Sequence, residues 1–259
     1  ANIRPARTYE GYPPPCGTPF DLVIFRENTE GFYADRNMAH GTGEVWPDAD
    51  MVLALRKVTR AASARIAKAA FANAATRPAR HVTAVHKANV LRDSDGLFLT
   101  EVRRVAARHP DITYDEVLVD AMAAHLVRKP DSFDVIVTTN MFGDILSDLA
   151  AELSGSLGLA ASLNAGVGHA MAQAQHGSAP DLAGTDRANP ASLILSAAML
   201  LDWLGAQGRG EGFVQAARGV EAAVQSVLSN PATRTVDLGG TAGTQAMGHA
   251  IADAVRRQV

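Results

Sequence analysis

Between His81 and Leu153 the hydrophobic pattern switches repeatedly between two periods, and this alternation constrains the fold more than any other feature of the chain. HVTAVH (81–86) reads as a strand, 96–107 as a helix, ITYDEVLV (112–119) as a strand, 121–128 as a helix, DVIVTT (134–139) as a strand and 143–153 as a helix. Side chains repeat about every two residues along a strand and about every 3.6 along a helix, so the two patterns do not substitute for each other. Strands and helices taken in turn stack as layers, which predicts an α/β fold.

The flanks are less regular. Residues 1–19 are rich in proline and glycine and read as an extended surface segment. FDLVIF (20–25) is a buried strand feeding the polar loop RENTEGFYAD (26–35), and residues 36–50 suggest a protruding arm or hairpin. An alanine-rich helix is expected over 57–75, closed by Pro78. GSLG (155–158) opens a long irregular stretch to Asn189, which should cap a helix with Pro190 at its first position. Two more helices follow over about 211–228 and 243–257. A tail of helices with little strand of its own looks like half a domain short of a sheet.

Composition excludes several classes. With 47% hydrophobic and 20% charged residues the chain is neither disordered nor fibrous. A net charge of -3, with no basic run, argues against nucleic acid as a partner. No apolar run reaches the roughly 20 residues that a membrane helix needs, so no membrane partner is expected. The lone Cys16 cannot form an internal disulfide and suits a cytoplasmic, reducing location.

Chemistry-bearing residues cluster after the expected strands. Asp144 and Asp148 stand one helical turn apart beyond a buried strand, suited to a hard divalent cation. Such a pair, on its own, is more often a solvated helix face. Asp120 follows another strand and is either a third ligand or an N-cap. Arg4 and Arg26 have the guanidinium fork that matches a carboxylate, although surface arginine is the ordinary alternative. Tyr33 and Lys87 sit on loops after strands, where proton-transfer groups are commonly placed. HGSAPDLAGTDRANP (176–190) has the small residues of a loop that approaches a cofactor closely, without a GxGxxG fingerprint.

Taken in order, ANIRP (1–5), RENTEGFY (26–33), HKANVLR (86–92), VDAMAAHLV (119–127), TTNMFGDILSDLA (138–150), GSLGL (155–159), HGSAPDLAG (176–184) and ANP (188–190) resemble the isocitrate/isopropylmalate dehydrogenase family. The resemblance runs over nearly the whole chain and implies that family's two-domain layered α/β fold. It implies a substrate, metal and dimerisation domain over 1–154 and the C-terminal part of a cofactor domain over 155–259.

By the same resemblance Asp120, Asp144 and Asp148 match metal ligands for Mg²⁺ or Mn²⁺, Asp120 reaching a partner's metal across a homodimer interface. Arg4 and Arg26 match the arginines that hold the substrate carboxylates, and Asn89 and Asn140 lie beside the Lys87 and Tyr33 positions as weaker candidates. Lys87, also offered to the partner's site, matches the general base, and Tyr33 the acid that protonates the enol after carbon dioxide leaves. His176, Gly177, Ser178, Ala179, Asp181 and Asn189 match the adenosine side of an NAD site. Asp181 would accept from both ribose hydroxyls and repel a 2′-phosphate, favouring NAD over NADP.

The implied reaction is oxidation and β-decarboxylation of a 3-substituted malate such as 3-isopropylmalate, tartrate, malate, isocitrate or homoisocitrate, RENTEGFYAD leaning slightly toward the tartrate-like branch. Two departures stand out. The chain reads AQAQH, with Gln173 and Gln175, where many relatives carry phenylalanine and glutamate. It also has no counterpart of the family's N-terminal strands and GDGIG segment, which predicts either a fragment of a longer enzyme or a non-catalytic subunit that needs a partner.

Overall fold

The computed structural model describes residues 1–33 and 40–257. In chain order its elements are β1 (Asn2–Arg7), β2 (Asp21–Arg26), β3 (Glu44–Asp48), β4 (Met51–Ala54), α1 (Arg60–Ala74), β5 (His81–His86), α2 (Arg92–Ala106), β6 (Thr113–Leu118), α3 (Val119–Arg128), β7 (Val135–Thr138), α4 (Asn140–Ser154), β8 (Ala161–Ala165), β9 (Ala170–Ala174), α5 (Ala191–Ala206), α6 (Glu211–Ser229) and α7 (Thr244–Arg256). They form two compact units, one of Ala1–Asn2 with Leu22–Ser147 and one of Ile3–Asp21 with Asp148–Val259.

In the first unit, parallel strands lie in the order β6-β5-β7-β2. Every residue of β7 (VIVT), and all of β2 after Asp21, is buried, as befits parallel strands covered on both faces. Parallel neighbours need long crossovers, and α2 and α3 supply them between β5, β6 and β7. Helix α1 starts at Thr59, whose side chain accepts from Ala62 N at 3.2 Å, and buries Ile66, Ala67, Ala70, Phe71 and Ala74 at helical spacing. It packs on α2, β5 and β7. Because the strands are parallel, their carboxyl ends share one edge, the place where α/β sheets build sites.

The strands β3 and β4 form an antiparallel hairpin with an irregular register between Val45 and Asp48. Its apolar side chains face solvent, Trp46 being 66% and Leu53 51% exposed. The expected arm at 36–50 is thus a hairpin in its described part; residues 36–39 of that arm, and Ala34 and Asp35 of RENTEGFYAD, lie outside the described residues.

The second unit corrects two expectations. The opening segment is no simple surface strip, since β1 alternates with Asn2, Arg4 and Ala6 buried. Pro5 hid it, because proline inside a run argues against a paired strand. The stretch 155–189 is not irregular throughout, because β8 and β9 pair antiparallel across a turn in which Gly166 N donates to His169 O at 2.8 Å. Their sequences, ASLNA and AMAQA, contain no β-branched or aromatic residue and so lack a strand signature. Helix α5 packs on both, α6 on α5 and α7 on α6, around Leu159, Leu195, Val224, Leu228, Met247 and Ile251.

Helix starts also differ slightly from expectation. Helix α5 begins at Ala191 with Pro190 as its N-cap, one residue later than expected, while Asn189 Oδ1 still accepts from Ala191 N at 2.9 Å. Helix α3 begins at Val119, so Asp120 lies inside its first turn and is not its N-cap. Helix α4 begins at Asn140, three residues before Gly143.

Candidate active site

Arg26, the last residue of β2, is brought against the first turns of α4. Its Nε donates to Asn140 Oδ1 at 2.8 Å and its Nη1 to Asp144 Oδ1 at 2.5 Å. Tyr33 OH donates to the other oxygen of Asp144, and the Arg26 guanidinium lies 5.2 Å from the Tyr33 ring centre. Asn140 Nδ2 donates to Glu30 O at 2.6 Å, fixing the 26–33 loop to the helix. Both carboxylate oxygens of Asp144 are thus held, and the arginine is 6% exposed.

Buried acids that the sequence did not single out shape that loop. Glu27 accepts from Thr29 N, Thr29 Oγ1 and Glu30 N, and pairs with Arg65 at 3.1 Å. Glu30 accepts from Thr59 N at 2.7 Å and Thr59 Oγ1 at 2.9 Å, tying the loop to the start of α1. RENTEG therefore encodes one arginine aimed at α4 and two acids that fold the loop holding it.

At the ends of β5 and β6, Lys87 Nζ donates to Asp120 Oδ1 at 2.5 Å. That hydrogen bond holds the Asp120 carboxyl below its ordinary range. Asn89 is exposed in the turn after Lys87.

In the second unit, Arg4 is 8% exposed and its Nη1 lies 3.8 Å from Asp148 Oδ1, which also accepts from Gln175 Nε2 at 2.8 Å. His176, Gly177, Ser178, Ala179 and Asn189 share a pocket of about 450 Å³. Ala179 takes φ 40°, and His176 Nδ1 is 2.8 Å from Gly177 O. The pocket wall includes Asp237, missed in the sequence, whose Oδ2 accepts from Ser156 Oγ at 2.6 Å and Asn189 Nδ2 at 3.0 Å. Gly158 is required there, since a Cβ would meet Asp237 Oδ2 at 2.7 Å and Asn189 Cβ at 2.6 Å. Asp181 is exposed in the 3₁₀ turn Pro180–Leu182 and does not line this pocket.

The carboxylates of Asp144 and Asp148 are hard oxygen donors of the kind Mg²⁺ and Mn²⁺ prefer, and they stand one turn apart on α4. Among the described residues, no three His, Cys, Asp or Glu side chains come together as a metal set. Asp120 instead stands with Lys87.

The model of the isocitrate/isopropylmalate dehydrogenase family matches residues 1–251. The chain belongs to that family. Family members of this kind are oxidoreductases that act on CH–OH donors. The chain is 46% identical over 257 residues to the isocitrate/homoisocitrate dehydrogenase of Thermus thermophilus, covering 99% of this chain and 71% of that protein. It is 44% identical over 253 residues to the 3-isopropylmalate dehydrogenase of Archaeoglobus fulgidus, covering 97% and 72%. The crystal structure of isocitrate dehydrogenase from Methylococcus capsulatus superposes with a TM-score of 0.89 at 42% identity, covering 99% of this chain and 73% of that one. Among the described residues of this dehydrogenase-family chain, no helix is long and apolar enough to cross a membrane.

Proposed function

We propose that this chain carries out NAD-dependent oxidation and β-decarboxylation of a 3-substituted malate, with a divalent cation held by Asp144, Asp148 and the Asp120 of a second copy. The observation that carries this reading is the Arg26, Tyr33 and Asp144 cluster, in which a carboxylate-binding cation, a phenolic proton donor and a metal-type carboxylate meet at the carboxyl ends of parallel strands.

Arg26 and Arg4 grip substrate carboxylates and fix which face of C2 is presented. Asp144, Asp148 and the second copy's Asp120 would hold the cation, which would supply Lewis-acid charge, and the residues around His176 would hold NAD, which would supply hydride-acceptor chemistry. Lys87 takes the hydroxyl proton, and Tyr33 returns a proton to the enol carbon once carbon dioxide has left. Asn89 and Asn140 assist at the substrate carboxylates, Asn140 through its bond to Arg26 Nε. His176, Gly177, Ser178, Ala179 and Asn189, which share one pocket, form the adenosine side of the NAD site; Asp181, outside that pocket wall, is assigned to the ribose hydroxyls by the family resemblance, where its charge would disfavour a 2′-phosphate.

The proposed homodimer would share its sites, with Asp120 and Lys87 offered to the partner, and the exposed apolar hairpin β3–β4 supports it as a surface for the second copy to cover. On this assignment residues 1–154 serve substrate, metal and dimerisation, and 155–259 serve the cofactor. Isocitrate, homoisocitrate and 3-isopropylmalate are the substrate candidates favoured by the relatives' names, with tartrate and malate as further members of the panel. The test is NADH formation from each of these acids with millimolar-range Mn²⁺, before and after chelation. Turnover of one acid that chelation abolishes supports the proposal; folded, metal-loaded protein without turnover on any of them refutes it and favours a non-catalytic subunit.

A further inference from the structure

Asp95 is a fully buried carboxylate at the start of α2, with 0% exposure, and both of its oxygens are engaged. Oδ1 accepts from Arg56 Nη1 at 2.5 Å, and Oδ2 accepts from the backbone N of Lys87 at 2.5 Å. The carbonyl of Lys87 accepts in turn from Val90 N at 3.0 Å and Leu91 N at 2.8 Å. Both backbone polar groups of Lys87 are therefore built into the turn that leads into α2, and only its side chain is left to extend toward Asp120.

Arg56 is itself immobilised. Its Nη1 also donates to Ser94 Oγ at 2.8 Å and its Nη2 to Thr139 Oγ1 at 3.0 Å. The guanidinium lies 5.4 Å from the Phe32 ring centre and 5.6 Å from that of Phe142. Phe32 adjoins Tyr33, Thr139 and Phe142 flank the start of α4, and Ser94 adjoins Asp95. One buried cation thus touches the three segments that carry Lys87, Tyr33 and Asp144. Buried ion pairs are weak sources of stability compared with apolar packing, so a pair with this many directed bonds is better accounted for by the geometry it fixes.

We propose that Asp95, clamped by Arg56, is a positioning residue that fixes the backbone of Lys87 and so sets where its Nζ stands. The inference rests on Lys87 being a proton-transfer group for its functional meaning, but the positioning itself is measurable without turnover. The chain has four lysines, Lys57, Lys68, Lys87 and Lys129, so pulsed acetylation read by mass spectrometry gives the reactivity of Lys87 against three internal references.

D95N keeps the shape and loses the charge; R56Q keeps a hydrogen-bonding amide and loses the cation and its fork without adding a lysine, and stands in for D95N if that variant does not fold. In either variant the acetylation rate of Lys87 is expected to change at least severalfold relative to the other three lysines. In the protein supplied with Mn²⁺ and NAD, kcat on isocitrate or 3-isopropylmalate is expected to fall roughly 10- to 100-fold with KM for NAD unchanged, and the loss should vanish in a K87M background. A change shared equally by all four lysines, or an undiminished loss in K87M, overturns the proposal and leaves Asp95 as a purely structural ion. Full turnover by K87M refutes instead the assignment of Lys87, while the acetylation result still decides the positioning.

Discussion

Gly143 lies so close to Arg26 that a Cβ on it would stand 2.7 Å from Arg26 Cγ and 2.8 Å from its Cβ. The glycine of MFGD is therefore there to let a buried arginine side chain cross the first turn of α4 and reach Asp144. G143A gains helix propensity but forces Arg26 aside. We expect a net destabilisation of about 1–3 kcal/mol and a drop in kcat/KM of roughly tenfold or more. Urea unfolding and steady-state kinetics check both, and a variant with unchanged activity would mean that Arg26 needs no fixed position.

A second prediction concerns the shared site. On the proposal, Tyr33 and Asp144 of one copy work with Lys87 and Asp120 of the other. Y33F and K87M should each be nearly inactive, yet a refolded equimolar mixture should recover about a quarter of wild-type turnover, because half the dimers pair unlike chains and each of those has one intact site. No recovery in a mixture shown to contain hybrids would place both residues in the same copy's site.

The loop that presents Arg26 gives a prediction on stability. Glu30 accepts from Thr59 N and Oγ1, and Thr59 caps α1. T59A should cost about 1 kcal/mol, the ordinary value of a lost N-cap. E30A should cost about 1–3 kcal/mol, because it strips the half-buried backbone N–H and hydroxyl of Thr59 of their acceptor. Equal unfolding midpoints for wild type and E30A would contradict this.

His86 supplies a pH dependence. Burial holds its imidazole below the ordinary value of 6.5, with Glu116 and Asp95 pulling in the opposite direction. Its Nδ1 is 3.0 Å from the N of Ala88, a bond that protonation of Nδ1 would break. A histidine with a lowered folded pKa leaves the unfolded chain binding more protons in that window. This contribution to stability therefore falls as pH drops through the unfolded value and levels off below the folded one. Urea midpoints measured at intervals from about pH 7.5 to 5.5 should decline more steeply in wild type than in H86N, and parallel curves would refute the assignment.

The legible part of the molecule was that in which burial is written into residue type. LVIF, HVTAVH and VIVT are apolar enough to announce strands covered on both faces, and Arg26, Lys87, Asp120 and Asp144 could be placed at their ends from spacing alone. Alanine-built β8 and β9 and proline-bearing β1 carried no such mark. The partners Arg56, Asp95 and Asp237 were hidden for a different reason. They are charged residues whose role comes from contacts with residues distant in the chain, such as Arg56 with Thr139 and Asp237 with Ser156, and no local pattern encodes such a pairing.

The proposed reaction couples hydride transfer to loss of carbon dioxide, and the most direct measurement is their stoichiometry. NADH and CO₂ should appear together, one for one, when the protein is given NAD, Mn²⁺ and the 3-substituted malate it turns over, and neither should appear with D144N. NADH without CO₂, or full turnover by D144N, would contradict the proposal that the Arg26, Tyr33 and Asp144 cluster carries oxidation and decarboxylation together.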